Sequence, residues 1–417
     1  MAQLSARQIA LTASRLWRKE KRFADSIISG LLAKAEITPS DGAFAMELFY
    51  GVLRNLTLLD FWISCLRASR VESDIRDNLQ LGLYQLFLLK TPEHAAVHET
   101  VELAPRRQRE IINAMLRAAT RRRSELLARA DAQPLFVRTS HPRFLVERWQ
   151  QHFGTEQAEE LCKWNTRPAL VYGRINRLKI GYEEFLRLYP MSRPLTADSD
   201  FVELDALPVS ALEQGHCYIQ DPSTTIACHI LDPKPGEKVL DACAAPGGKT
   251  SYMAQLMQNR GTIVACDRDP DRLQILKGNM ARLRVVIAQI LRHDWTCDRV
   301  PPEIALVAPL DRILVDVPCS NTGVMRRRVD LRWRLRRTDF DRMQQRQIEI
   351  VRALVQLLKP NGALVYSTCS LEPEENEEVV RRILAETPIL RLEAERYSLP
   401  FRDGFDGAFA AKLVRNV

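Results

Sequence analysis

At 417 residues the chain is too long for one ordinary hydrophobic core, so two or three domains are expected. Its 46% apolar and 27% charged residues suit a globular chain in water, and no apolar run approaches the roughly 18 residues of a membrane span. Nine scattered cysteines without a C-x-x-C pair argue against a disulfide scaffold or an ordinary zinc site and for a reducing, cytoplasmic setting, while the net charge of +8 points to a polyanionic partner.

The opening MAQLSARQIALTASRLWRK has no apolar core of a secretory signal. Its acid-free, Arg- and Ser-containing character resembles a transit peptide, but an amphipathic first helix is the better reading. From Ser5 to about Ala130 apolar residues recur at three- and four-residue spacing, which predicts helices throughout, with breaks at Ser40-Asp41-Gly42 and Thr91-Pro92. Through residue 150 there are 23 Lys/Arg against 16 Asp/Glu, so this all-α part carries a basic surface.

A linker is expected between Asp131 and Pro142. FLVERWQQHFGTEQAEELCKWN then reads as two helices divided at Gly154, and ALVYGRINRLKI, FVELDAL and HCYIQD read as strands of a small α/β module. His216-Cys217 and Cys228-His229 do not have a zinc-finger spacing, so no metal is expected there. From about Asp232, EKVLDAC, GTIVACD, VVIAQILRHD, DRILVDV and GALVYST alternate with helix-length segments. That pattern predicts a parallel, doubly wound sheet, with an antiparallel pair from LRLEAERY and GAFAAKLVRN at its end.

The first of these strands runs into DACAAPGGKT. A Walker A loop would need glycine where Cys243 stands, and Pro246 lacks a donor N–H; a G-x-G-x-x-G is absent as well. What remains is S-adenosylmethionine, which has no phosphate and needs close backbone approach. The loop Cys243, Ala244, Ala245, Pro246, Gly247, Gly248 and Lys249 would bind it, with Asp267 at the ribose and Asp294 at the adenine edge or serving as a turn aspartate. Arg272 and Asp316 complete the expected cofactor set.

Cys319 and Cys369 each stand just past a strand end, and parallel neighbouring strands would bring both to one rim. Pro373 and the glutamates after Cys369 read as a first helical turn, whose N-terminus favours thiolate while the nearby glutamates work against it. A methyl donor beside a thiolate suits cytosine, whose C5 becomes nucleophilic after a thiolate adds to C6. Asp316 is placed to assist at ring N3, and Lys249 either helps it or simply bonds a carboxylate. The block RRRVDLRWRLRR at 326–337 holds seven arginines and is expected to contact RNA phosphates.

DACAAPGGKT, DVPCSNTGV and YSTCSLEPEEN closely resemble, in order, the motifs of the Sun/Nop2 family of RNA cytosine-5 methyltransferases. YGVLRN and the helical start resemble a NusB-like RNA-binding domain. The resemblance implies three parts: an all-helical NusB-like domain over 1–135, a small α/β, RRM-like module over 143–216, and a Rossmann-like methyltransferase domain over 217–417. It also implies Cys369 as nucleophile, Cys319 as the thiol that assists breakdown of the covalent intermediate, and small-subunit rRNA as partner of a monomer needing neither metal nor membrane. The alternatives are the same chemistry on tRNA, or a non-catalytic RNA-binding assembly or antitermination factor. Two residues depart from the family pattern: Asn321 replaces a more usual glycine, where its tolerance of left-handed backbone should preserve the turn, and Val317 replaces alanine, where it would crowd the base pocket.

Overall fold

Amphipathic spacing winds the first part of the chain into helices, as the sequence predicts. The computed structural model describes residues 4–196, 199–296 and 299–416. Helix Ala6–Lys19 starts with a capping box in which Ser5 and Gln8 satisfy each other's backbone N–H groups. Helices Pro39–Arg54, Leu56–Leu66, Ser73–Leu83 and Arg106–Arg121 pack with it around Ile9, Phe49, Trp62, Leu79 and Leu116. The break expected at Ser40-Asp41-Gly42 lies earlier. Thr38 caps the Asp41 N–H at 3.1 Å and Pro39 takes the first helical position, so Ser40 to Gly42 form the first turn. Helices Arg143–Phe153 and Thr155–Thr166, divided at Gly154, belong to this same unit, which runs to Pro168 and includes Met325–Arg334.

The second unit comprises Ala169–Val324 and Leu335–Val417. It begins as strand–helix–strand–strand–helix–strand, with β1 Val171–Ile175, β2 Ser192–Pro194, β3 Phe201–Leu204 and β4 Cys217–Ile219 in the antiparallel order β2-β3-β1-β4. This is the RRM-like arrangement expected. Three-residue β2, ending in proline, gave too little alternation to be read. Arg174 of β1 is 2% exposed and donates to Gln220 Oε1 at 2.8 Å and Ser251 Oγ at 2.7 Å, with its guanidinium 4.7 Å from the Tyr252 ring centre. It thereby ties the small sheet to helix Gly248–Leu256.

The large sheet has β5 Lys238–Asp241, β6 Thr262–Asp267, β7 Ala288–Arg292, β8 Leu310–Asp316, β9 Leu358–Thr368, β10 Leu390–Ser398 and β11 Ala408–Arg415. The order is β10-β11-β9-β8-β5-β6-β7; β5 to β9 are parallel, and β11 is antiparallel to β9 and β10. From β5 the chain first builds outward through β6 and β7, then returns to place β8 on the other flank. The switch point therefore lies between β5 and β8, where such sheets open a ligand crevice at their C-terminal ends. Among the described residues no helix is long and apolar enough to cross a membrane.

The arginine block does not form the phosphate-facing stripe expected of it. Arg326 and Arg332 are 3% and 0% exposed in the first unit. Arg326 lies 3.8 Å from the Trp164 ring centre, and Arg332 donates to Ser140 O at 3.3 Å and Asn165 O at 2.9 Å. Arg334 donates to Lys21 O at 2.8 Å, and Trp333 to Leu53 O at 2.9 Å. Orphan carbonyls at helix ends attract a planar, multi-donor cation, so this segment is an internal strap. Burial pulls the Arg332 guanidinium down to about 9, which still leaves it charged at neutral pH. Arg328, Arg336 and Arg337 remain exposed. Arg332→Ala should cost about 2–4 kcal/mol of stability in urea unfolding, against less than about 0.5 kcal/mol for Arg328→Ala. Equal effects of the two would contradict the internal role.

Candidate functional site

The loop after β5 is folded on itself. Ala244 N–H donates to Cys266 O at 2.7 Å, Ala245 N–H to Asp267 Oδ2 at 3.2 Å and Gly247 N–H to Ala244 O at 2.8 Å, while Pro246 has no N–H. The Ala244, Ala245 and Gly247 donors are therefore spent within the protein, unlike those of a phosphate-binding nest. Gly247 has φ +105°, and a Cβ there would meet Leu276 and Met280 at 2.7 Å, so glycine is required. Asp267 ends β6 with a buried carboxylate whose Oδ1 accepts only from Asp269 N–H, at 3.1 Å, among the described hydrogen bonds. Acceptor capacity therefore remains for a hydroxyl. Arg272 bridges the two turns, donating to Ala245 O and standing 3.5 Å from Asp267 Oδ2.

Beside these turns is a cavity of about 460 Å³ lined by Arg268, Asp269, Pro270, Arg292, His293 and Asp294. Asp294 is a turn aspartate that also borders this cavity. Its Oδ1 accepts from Thr296 N–H and Oγ1 at 3.1 and 2.7 Å, while the residue also lines the cavity. Trp295, not singled out in the sequence, donates to Ala242 O at 2.9 Å and pins this turn against the first loop. Asp241, also missed, accepts from Thr250 Oγ1 at 2.7 Å, and its Oδ1 is buried without a hydrogen-bond partner among the described residues. Unphosphorylated nucleoside chemistry, free acceptors and nearby carboxylates fit a sulfonium nucleoside.

Lys249 Nζ donates to Asp316 Oδ2 at 2.7 Å. Burial alone would lower the ammonium, but the Asp316 charge and hydrogen bond outweigh it, so the net shift is upward. Lys249 is therefore a cation at neutral pH, bonded to a carboxylate. Cys243 is half-buried in the same loop, and burial drives its thiol well above the usual range.

Parallel pairing of β8 and β9 sets Asp316 opposite Ser367 and brings the following loops together. Cys319 Sγ and Cys369 Sγ lie 3.2 Å apart, both as free thiols. The hydrogen bond to Cys369, then burial, holds the Cys319 thiol well above its usual range. Asn321 takes up φ +58°, so the turn survives the departure from glycine. Gly323 lies so close to Gly407 that a Cβ would meet its backbone at 2.7 Å. Val317, 4% exposed, packs in the core beneath the sheet with Trp295 and Ile348 instead of crowding an open pocket.

The expected first helical turn after Cys369 is a short 3-10 turn, Pro373–Glu375, and the α-helix proper runs Glu377–Glu386. Glu375 is wholly buried. It accepts from Ser320 N–H at 2.9 Å, Ser320 Oγ, Ser370 Oγ at 2.5 Å and Gln347 Nε2 at 3.1 Å. Only the repeated Cys-Ser pairs hinted at this clamp in the sequence. Away from the rim, His216 contacts Tyr189 Oη at 3.0 Å and His229 contacts Tyr252 Oη at 3.1 Å, and among the described residues no cluster suited to a metal occurs.

The chain also matches known family models and proteins. The family model described as 16S rRNA methyltransferase RsmB/F matches residues 228–414, the NusB family model matches 4–121, and an RsmF/B-like ferredoxin-like domain matches 141–189. The chain is 32% identical over 409 residues to the probable ribosomal RNA small subunit methyltransferase B of Bacillus subtilis, covering 93% of this chain and 90% of that one. It is 36% identical over 403 residues to ribosomal RNA small subunit methyltransferase B of Cronobacter sakazakii, covering 91% and 92%. A solved methyltransferase homolog protein from Pyrococcus horikoshii superposes with a TM-score of 0.59 at 28% identity, over 67% of this chain and 97% of that one. S-adenosyl-L-methionine is the cofactor.

Burial raises the Asp241 carboxyl from 3.8 to about 7. The folded state thus holds its proton more tightly than the unfolded chain, and the associated stability is complete below about pH 4 and lost as pH rises to about 7. In the cofactor-free protein, Asp241→Asn should remove that decline. Its thermal midpoint relative to wild type should climb from about pH 4 to 7 and then level; a gap independent of pH would contradict the shift.

Proposed function

The chain belongs to the 16S rRNA methyltransferase RsmB/F family, and on that premise we propose that it methylates C5 of a cytosine in small-subunit rRNA through a covalent bond from Cys369 to C6. The observation that carries this reading is the 3.2 Å approach of two free thiols from separate loops, at the rim where the Lys249–Asp316 pair also stands. A scaffold protein has no need of that constellation.

When bound at Asp267, Asp294 and the 243–249 loop, S-adenosyl-L-methionine supplies an electrophilic methyl group. Cys369, as thiolate, adds to C6, and the C5–C6 π electrons become available at C5, which would bond to the methyl carbon as its bond to the sulfonium sulfur breaks and leaves that electron pair on a neutral thioether. The Lys249–Asp316 pair presents a proton at ring N3 and takes up the charge that the addition develops. Cys319 stays a thiol while Cys369 is its hydrogen-bonding neighbour. Once Cys369 is committed to C6, the first cause of that upward shift is gone. Cys319 then loses its proton to water and accepts the C5 proton; the C5–H electrons restore the double bond, and Cys369 leaves as thiolate.

The target base must be single-stranded or turned out of its stack, because C6 is not reachable within a helix. The excess of Lys/Arg over the first 150 residues supports RNA affinity that falls with salt. With small-subunit rRNA and S-adenosylmethionine, Cys369→Ala should give neither adduct on denaturing gels nor 5-methylcytidine by nucleoside mass spectrometry. Cys319→Ala should accumulate the adduct and release product about 10²–10⁴-fold more slowly. No 5-methylcytidine from wild type on rRNA or tRNA would overturn the enzymatic reading.

A further inference from the structure

Asn321 does more than tolerate its turn. Its Nδ2 donates to Cys319 O at 2.7 Å, and a carbonyl can only accept, which fixes the orientation of the amide. The other end, Oδ1, is thereby turned to Cys369 Sγ at 3.1 Å. Backbone bonds hold the partners in place: Gly323 N–H donates to Cys369 O at 3.0 Å, and Leu371 N–H to Thr322 Oγ1 at 2.9 Å. The left-handed φ of +58° is what lets a side chain at this position reach the second loop. Glycine there would leave Cys369 without this acceptor.

We propose that Asn321 is a further residue of the catalytic site, whose carboxamide oxygen accepts the Cys369 thiol hydrogen and holds the resting nucleophile aligned beside Cys319. The inference rests on Cys369 being the nucleophile. An acceptor facing the sulfur favours S–H, since a thiolate has no hydrogen to donate to it. Ionisation sends the proton to water and breaks this bond. The Lys249 ammonium, paired with Asp316, acts on the Cys369 sulfur in the opposite sense, while buried Glu375 acts on the neighbouring Cys319. Asn321 thus restrains the thiol against the cation, and the same bond fixes the rotamer from which it attacks.

The test measures iodoacetamide alkylation of Cys369 and of Cys319 separately, by peptide mass spectrometry at pH 7.5, in the full chain. Asn321→Gly keeps a residue at ease with positive φ and deletes only the amide. Its Cys369 should alkylate about three- to tenfold faster, the size of one neutral hydrogen bond. Cys319 should be unchanged, and single-turnover methylation of rRNA should slow because alignment is lost. Asn321→Asp keeps the shape and adds a like charge beside the thiolate, so Cys369 should alkylate at least about tenfold more slowly. A merely structural role would instead expose both cysteines together. Alkylation of Cys369 unchanged in both variants, or raised equally at Cys319, overturns the proposal. Wild-type adduct formation is scored in parallel. If wild type forms the adduct while the alkylation rates are flat, only the Asn321 inference fails. If it forms none, the covalent mechanism fails, and the alkylation contrast still decides whether Asn321 restrains the thiol.

Discussion

Glu375 is fully buried, and its carboxylate accepts from Ser320 and Ser370, the residues that directly follow Cys319 and Cys369. Desolvation pushes this carboxyl upward, and the serine donors act against that shift. A buried carboxyl in a low-dielectric interior is tolerable only with such partners, so it demands that both loops converge on it. Gln347 extends the clamp, donating to Glu375 and to Pro318 O at 3.0 Å. The short distance between the thiols follows from this convergence. Two loops fifty residues apart would otherwise each order independently, at an entropic cost that a surface turn does not recover.

The rest of the site follows from strand order. Once β8 returns to the far side of β5, the loops after β5, β6, β8 and β9 all open toward one crevice. The 243–249 loop comes from β5, the Asp267 carboxylate from β6, and Asp316 and both thiols from β8 and β9. Lys249, at the start of the helix after β5, reaches across the switch point to Asp316. Arg174 steadies that same helix from the small sheet, so the ferredoxin-like module braces the β5 side of the crevice.

The strands of the large sheet were legible because buried parallel strands read as short apolar runs bounded by turns, and the Cys319 and Cys369 motifs because each sits at such a boundary. Side-chain convergence was less legible. Glu375 lies in Pro-Glu-Glu, which has the composition of an exposed helix start, and only tertiary structure shows that it turns inward. The arginine strap misled for a related reason. Charge composition records how many cations a segment has, not whether helix-end carbonyls will receive them, and Arg332 and Arg326 are both consumed inside the helical unit. Asn321 was noticed as a departure from a family pattern, but its contact with Cys369 depends on a rotamer and a loop pairing that spacing does not encode.

The central claim is that Cys369, not Cys319, makes the bond to RNA. The most direct measurement is to trap the protein on small-subunit rRNA containing 5-azacytidine, digest the adduct with nuclease and protease, and locate the nucleotide by tandem mass spectrometry. The account predicts a single modified peptide carrying the nucleotide on Cys369, with Cys319 unmodified. A nucleotide found on Cys319, or an adduct that survives replacement of Cys369, would contradict it.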